Sequence, residues 1–223
     1  MSEAHAVAYR GVHERVKNLI EAAKPAALDQ PAPATPEWTV REILCHLVGV
    51  CDDVVNGRLD GIATDAWTGA QVSKRCDASA ADLLAEWDKV SPPFEQMLVD
   101  TPPEIAGQAI FDAVTHEHDI RHALSQPGAR DTDAIELAWD WIMLVRPLGG
   151  GPGVRFVTEA GTQAVGDPLV ATIEATRFEV LRATAGRRSL DEVAAYGWDP
   201  EPQPDLLLAS NDIFSFRPSP LNE

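Results

Sequence analysis

FDAVTHEHDIRHAL, residues 111–124, carries more candidate chemistry than any other stretch of this chain. On a helix turning about 100° per residue, Ile105, Ala109, Ala113, Ile120, Ala123 and Leu124 fall within about 80° of His116. Asp112 and Asp119 share that apolar stripe, while Glu117, His118, Arg121 and His122 point away from it. Asp112 and His116 are one helical turn apart. A buried carboxylate and imidazole are costly unless paired or bound to a metal. Two readings follow: a satisfied core network, or half of a metal site.

A partner for that pair must come from another buried element. Upstream, Thr39-Val-Arg-Glu42 has the form of a capping box, with Trp38 and Ile43 placed to close a hydrophobic staple around it. This predicts a helix from Val40 to Val55, with Gly57 near its end. Leu44, Leu47, Val48, Cys51 and Val55 cover most of its circumference, so His46 is expected inside the protein. Helical bundles build metal sites from inward carboxylates and imidazoles on facing helices. Asp112, His116 and His46 would make the three protein ligands usual for catalytic zinc, with a fourth position open. Asp119 could hold a ligand imidazole in one tautomer. The competing pair His118 and His122 lies on the other face, and the stretch does not read HExxH, so a zinc-protease reading has no support. Cys45 adjoins His46 in sequence but sits about 100° round the helix, which disfavours a Cys–His nucleophile.

Around these two segments the chain reads as follows. Ala4 to Ala23 is helical by spacing and stops before Pro25. Pro25 to Pro36 reads as a linker. A short helix is expected near Trp67 to Arg75. Ser79-Ala-Ala-Asp82 opens another helix, which Pro92-Pro93 should kink or divide. The helix containing residues 111–124 should run from about Glu104 to Ser125, and Asp131 should cap a further one through Trp139 and Trp141. Pro147-Leu-Gly-Gly-Gly-Pro-Gly153 reads as a hinge, since no GK[ST] accompanies it. Beyond it the hydrophobic period becomes two, predicting strands at Val154–Thr158, Thr162–Val165 and Val170–Ala175 in a meander. A helix at Arg177–Ala185 and a capping box at Ser189–Glu192 follow, then a proline-rich extended tail from Trp198. The expected fold is α+β: a bundle of four to five helices over residues 1–150, then a small βββα unit over 151–223.

Composition narrows the function. At 223 residues, 45% apolar and 24% charged, the chain can bury a full core. A net charge of −17 disfavours nucleic acid and anionic membrane as partners. No apolar run reaches the ~20 residues of a membrane span, and the N-terminus lacks signal-peptide character. Three cysteines without CxxC spacing suggest reduced thiols and a cytoplasmic setting.

Four segments, WTVREILCHLVG with His46, DAVTHEHDIRHAL, VRFVTEAG…VGDP and FEVLRATAGRRS, occur in an order that resembles the mycothiol-dependent maleylpyruvate isomerase-like proteins of actinobacteria. These belong to the DinB-like helical bundle superfamily. The resemblance implies a divalent metal, usually zinc, on His46, Asp112 and His116, although the family's carboxylate is often a glutamate. It implies a sterol-carrier-like C-terminal domain and a basic residue, Arg187 or Arg188, that serves the cosubstrate and the reaction. It further implies mycothiol or a similar thiol as cosubstrate and a small anionic electrophile as substrate, isomerised or S-conjugated, in a monomer or homodimer. Two other functions fit the same bundle: a metal-dependent hydrolase, and a non-catalytic small-molecule binder.

Overall fold

A computed structural model of the chain describes residues 3–146, 151–208 and 214–223. It divides into two compact units, residues 1–128 and 129–223.

The first unit holds helices α1 (Glu3–Ala22), α2 (Pro25–Leu28), α3 (Val40–Val55), α4 (Asp65–Arg75), α5 (Ala80–Asp100) and α6 (Pro103–Ala123). A two-stranded antiparallel ribbon, β1 (Pro31–Ala32) and β2 (Thr35–Thr39), precedes α3. Two capping boxes form in this unit: Thr39 Oγ1 accepts from Glu42 N while the Thr39 N–H donates to the Glu42 carboxylate, and Ser79 with Asp82 repeats the arrangement. These exchanges satisfy N–H groups that a helix start otherwise leaves open. α1 packs on α5 and α6, and α3 packs on α4, α5 and α6. Val12, Val16, Ile43, Leu44, Leu47, Trp87, Ile110 and Ile120 are fully or almost fully buried between them. Each such side chain contributes about 1.5–3 kcal/mol.

One expectation for this unit needs correction, and another is narrowed. Residues 25–36 are not a linker: Pro25 opens α2, and Ala32 and Ala34 of the ribbon are buried. Of the two outcomes expected at Pro92 and Pro93, a kink or a division, division does not occur: α5 is helical throughout. The prolines remove two N–H donors. The helix survives because Trp87 and Ser91 before them, and Phe94 and Leu98 after them, are all buried. Tertiary packing on both sides outweighs the local loss.

The second unit contains α7 (Asp133–Val145), β3 (Gly153–Thr158), β4 (Gly161–Val165), β5 (Leu169–Glu174), α8 (Arg177–Thr184), α9 (Leu190–Ala194) and β6 (Gly197–Asp199). α7, grouped by the sequence with the bundle, lies here. Trp139 meets Phe156 of β3 edge-on at 5.3 Å and donates from Nε1 to Gln163 Oε1 at 3.0 Å. Its N-cap is Thr132, not Asp131. The hinge expected at Pro147–Gly153 falls largely on residues 147–150, outside the described residues.

The strands are not a meander. Their order is β4-β3-β5-β6, with β3 and β5 parallel. Gly153 and Gly166 explain how the chain crosses. A Cβ on Gly153 would sit 2.4 Å from the Gly166 carbonyl oxygen, and Gly166 has φ +81°. The β4–β5 connection therefore lies directly against the start of β3, where Gly153 N donates to Pro168 O at 2.9 Å, and β5 emerges on the far side. The sequence missed β6, reading it as the start of an extended tail. The last residues are also anchored: Leu221 is buried, and the Glu223 carboxylate pairs with the fully buried Arg182.

Candidate metal centre

α6 is the middle element of the first unit, flanked by α1, α3 and β1. It is consequently buried almost all round, not on one stripe. Glu117, His118 and Asp119 are 0–2% exposed, whereas Ile105, assigned to the inner stripe, is 62% exposed. The outward placement of Glu117 and His118 is thus corrected: a wheel finds the apolar arc but not how many neighbours surround a helix. Glu117 is compensated by arginines, with Arg15 donating from Nε and Nη2 at 2.8 and 2.7 Å and Arg121 from Nε at 2.8 Å.

On the adjoining face, α3 and α6 bring His46, Asp112 and His116 together. His46 Nε2 lies 3.4 Å and His116 Nε2 3.6 Å from Asp112 Oδ1. One donor atom from each residue falls within 4.8 Å of the others, and among the described residues this is the group of three such side chains so arranged. His118 and His122 take no part in it. The His46 and His116 imidazoles are buried, and Asp112 is half-buried.

The remaining ring nitrogens also face partners. Asp119 Oδ2 is 3.2 Å from His116 Nδ1. Gln71 Oε1 is 2.8 Å from His46 Nδ1. Burial is the largest influence on His116 and lowers its pKa; Asp119 and Asp112 oppose it and His46 adds to it. The net direction favours the neutral ring, the form that can ligate a metal. Trp38 covers the pair, its ring centroid 5.3 Å from His46 and 5.9 Å from His116.

The donor set fits a divalent ion. A ring whose Nδ1–H faces Asp119 turns a lone pair toward Asp112, so acceptor meets acceptor unless a cation or proton lies between them. Ligands about 2.1 Å from a tetrahedral ion are separated by about 3.4 Å, close to the distances found. Asp112, one methylene shorter than the glutamate frequent in the resembled family, reaches both imidazoles.

Trp38 and Gln71 were missed as site residues. Trp38 was read only as a helix staple, and Gln71 lay in the segment with the weakest pattern. Gly49, one turn beyond His46, was the available signal: a Cβ there would sit 2.5 Å from Gln71 Cβ. It marks a close helix approach without naming the partner.

The other predicted site residues lie in the second unit. Arg188 donates to both Glu179 carboxylate oxygens at 2.7 and 3.0 Å and to Glu223 at 2.9 Å. Burial alone would lower its pKa, but the two carboxylates outweigh that and keep it charged. Arg187, half-buried, donates from Nη1 to the Ala185 carbonyl at 2.7 Å. Cys45 donates to the Arg75 carbonyl at 3.7 Å, and burial pushes its pKa up to about 11, so it is no ready nucleophile. No helix among the described residues is long and apolar enough to cross a membrane.

Comparison with known proteins adds three findings. The family model of the mycothiol maleylpyruvate isomerase N-terminal domain matches residues 9–121, just over half of the chain and including His46, Asp112 and His116. Two crystal structures of mycothiol-dependent maleylpyruvate isomerase, one of them of a mutant, are similar in fold. The mutant aligns with TM-score 0.59 and 11% identity, the other with 0.55 and 12%, each over 91% of this chain and 97% of its own. No curated protein matches the chain by sequence.

Proposed function

This chain belongs to the mycothiol maleylpyruvate isomerase N-terminal domain family, and on that premise we propose that it is a metal-dependent enzyme using a low-molecular-weight thiol as cosubstrate. The carrying observation is the convergence of His46 Nε2, His116 Nε2 and Asp112 Oδ1 at 3.4 and 3.6 Å. These three residues would hold a divalent ion, zinc by the chemistry of the donor set. Such an ion supplies a positive charge that lowers the pKa of a nearby thiol, favouring thiolate at neutral pH.

The chain's own residues prepare the rest. Asp119 keeps the His116 proton on Nδ1, away from the centre. Trp38 shields one side of the two rings from water, which strengthens every charge interaction within. A small anionic electrophile needs a cation for its carboxylate, and the family resemblance would give that part to a basic residue, Arg187 or Arg188. Addition of the thiolate to a carbon–carbon double bond of the substrate converts it to a single bond, about which rotation is free. Expulsion of the same thiolate restores the double bond in the isomerised geometry, and retention of the adduct would give S-conjugation instead.

The test is metal analysis followed by turnover. Purified protein reconstituted with zinc should carry about one ion per chain, and His46→Ala should lose most of it, since one of three protein ligands is removed. Maleylpyruvate isomerisation should require both the ion and added mycothiol. A chain that binds no metal after reconstitution sinks the reading, and ester or amide hydrolysis without thiol replaces it with a hydrolase.

A further inference from the structure

Nothing in the donor set explains why His46 should present Nε2, rather than Nδ1, to the centre as a lone pair. His116 has a carboxylate behind it to fix its proton, whereas His46 has only the neutral amide of Gln71, which could in principle donate or accept. The answer lies one residue further out. Gln71 Nε2 donates to Asp53 Oδ2 at 2.9 Å, and the other oxygen of Asp53 accepts from Arg58 Nε at 2.8 Å. An ionised carboxylate only accepts, so the amide must turn its NH2 toward Asp53 and its oxygen toward His46. That oxygen then requires a hydrogen on His46 Nδ1, which leaves Nε2, facing Asp112, as the nitrogen that can take a cation or a proton.

The arrangement is built with little room to relax. Gln71 is 2% and His46 4% exposed. Gly49 leaves the space that the Gln71 side chain fills, since a Cβ there would meet Gln71 Cβ at 2.5 Å and Cγ at 2.7 Å. Arg75, one turn along α4, donates from Nη1 to the Gln71 carbonyl at 3.4 Å and from Nη2 to Asp52 of α3 at 2.8 Å, pinning α4 to α3.

We propose that Gln71 is a positioning residue that fixes His46 as its Nδ1–H tautomer, and that Asp53, held by Arg58, sets the direction in which the Gln71 amide points. Its consequence for metal affinity rests on the metal reading above; the tautomer itself does not.

Two readouts separate these. In metal-free protein, the imidazole nitrogen shifts of His46 by 15N NMR should report a hydrogen on Nδ1, with any second proton on Nε2 against Asp112. Gln71→Leu removes the acceptor, so the ring should move toward the Nε2–H form, donating to Asp112. Zinc affinity, measured by chelator competition, should then fall about 10–100-fold. Asp53→Asn, which no longer dictates the amide direction, should give a mixture of tautomers and a smaller loss. The double variant Gln71→Glu with Asp53→Asn keeps an acceptor on His46 and a donor from position 53, and should return the wild-type tautomer. An unchanged tautomer in both Gln71→Leu and Asp53→Asn overturns the proposal, and Asp53→Asn alone decides it should Gln71→Leu fail to fold. If wild-type protein binds no zinc, the metal reading falls while the nitrogen shifts still decide the role of Gln71.

Discussion

Adjacent residues on α6 answer the same electrostatic problem in opposite ways. Glu117 is 0% exposed and lies between two guanidiniums, with three hydrogen bonds to its oxygens. Its charge is balanced by the chain itself. His116 and Asp112, on the neighbouring face, meet a second imidazole, with the two Nε2 atoms 3.6 and 3.4 Å from one carboxylate oxygen. A buried charge supplied with its counter-charge is structural; two imidazoles and a carboxylate converging on one point form a donor set for a cation. The contrast identifies function more sharply than burial does, because Glu117 and His116 are both buried side by side on α6.

The largest test of that contrast is ligand-linked stability. Zinc at about a thousand times its dissociation constant should raise the unfolding free energy of the wild type by about 4 kcal/mol, and Asp112→Ala should abolish the increase, as followed by thermal denaturation with and without chelator. The next test acts on the other side. Glu117→Gln leaves two arginines without their counter-charge and should destabilise metal-free protein by about 3 kcal/mol, leaving zinc stoichiometry per folded chain unchanged. Asp112→Ala in metal-free protein should cost less than about 1 kcal/mol. Equal losses for the two variants in chelator would break the comparison.

A smaller effect concerns acid. Asp52 is another carboxylate balanced by the chain: burial raises its pKa, but Lys74, Arg58 and Arg75 outweigh this and hold it at about 2. A carboxylate depressed below its ordinary 3.8 contributes stability that is complete above about pH 4 and lost as pH falls through about 2. Asp52→Asn should therefore lower stability at neutral pH and flatten the acid limb of a urea-midpoint profile in that window. An acid limb identical to wild type would remove Asp52 from the balanced class.

Legibility in the sequence followed the range of the interactions involved. The α3 start was readable because Thr39 and Glu42 satisfy each other's backbone within three residues. Asp112 and His116 were readable as a pair because one turn separates them, and Asp119 as a support for the same reason. His46 required one tertiary assumption, that both helices turn these residues inward. The parallel β3–β5 pairing was unreadable, since it depends on Gly153 and Gly166 packing against each other from opposite ends of a hairpin.

By itself, then, the sequence determined the helix boundaries, the strand segments and a set of three possible ligands, because caps, periodicity and i,i+4 spacing act over a single turn. Only the tertiary structure decided that Glu117 and His118 are buried, that Trp38 lies over the two imidazoles, and that Gln71 stands behind His46. Each of those depends on which neighbour fills the space beside a residue. A chain sets that across 25 residues from His46 to Gln71, where no local rule reaches.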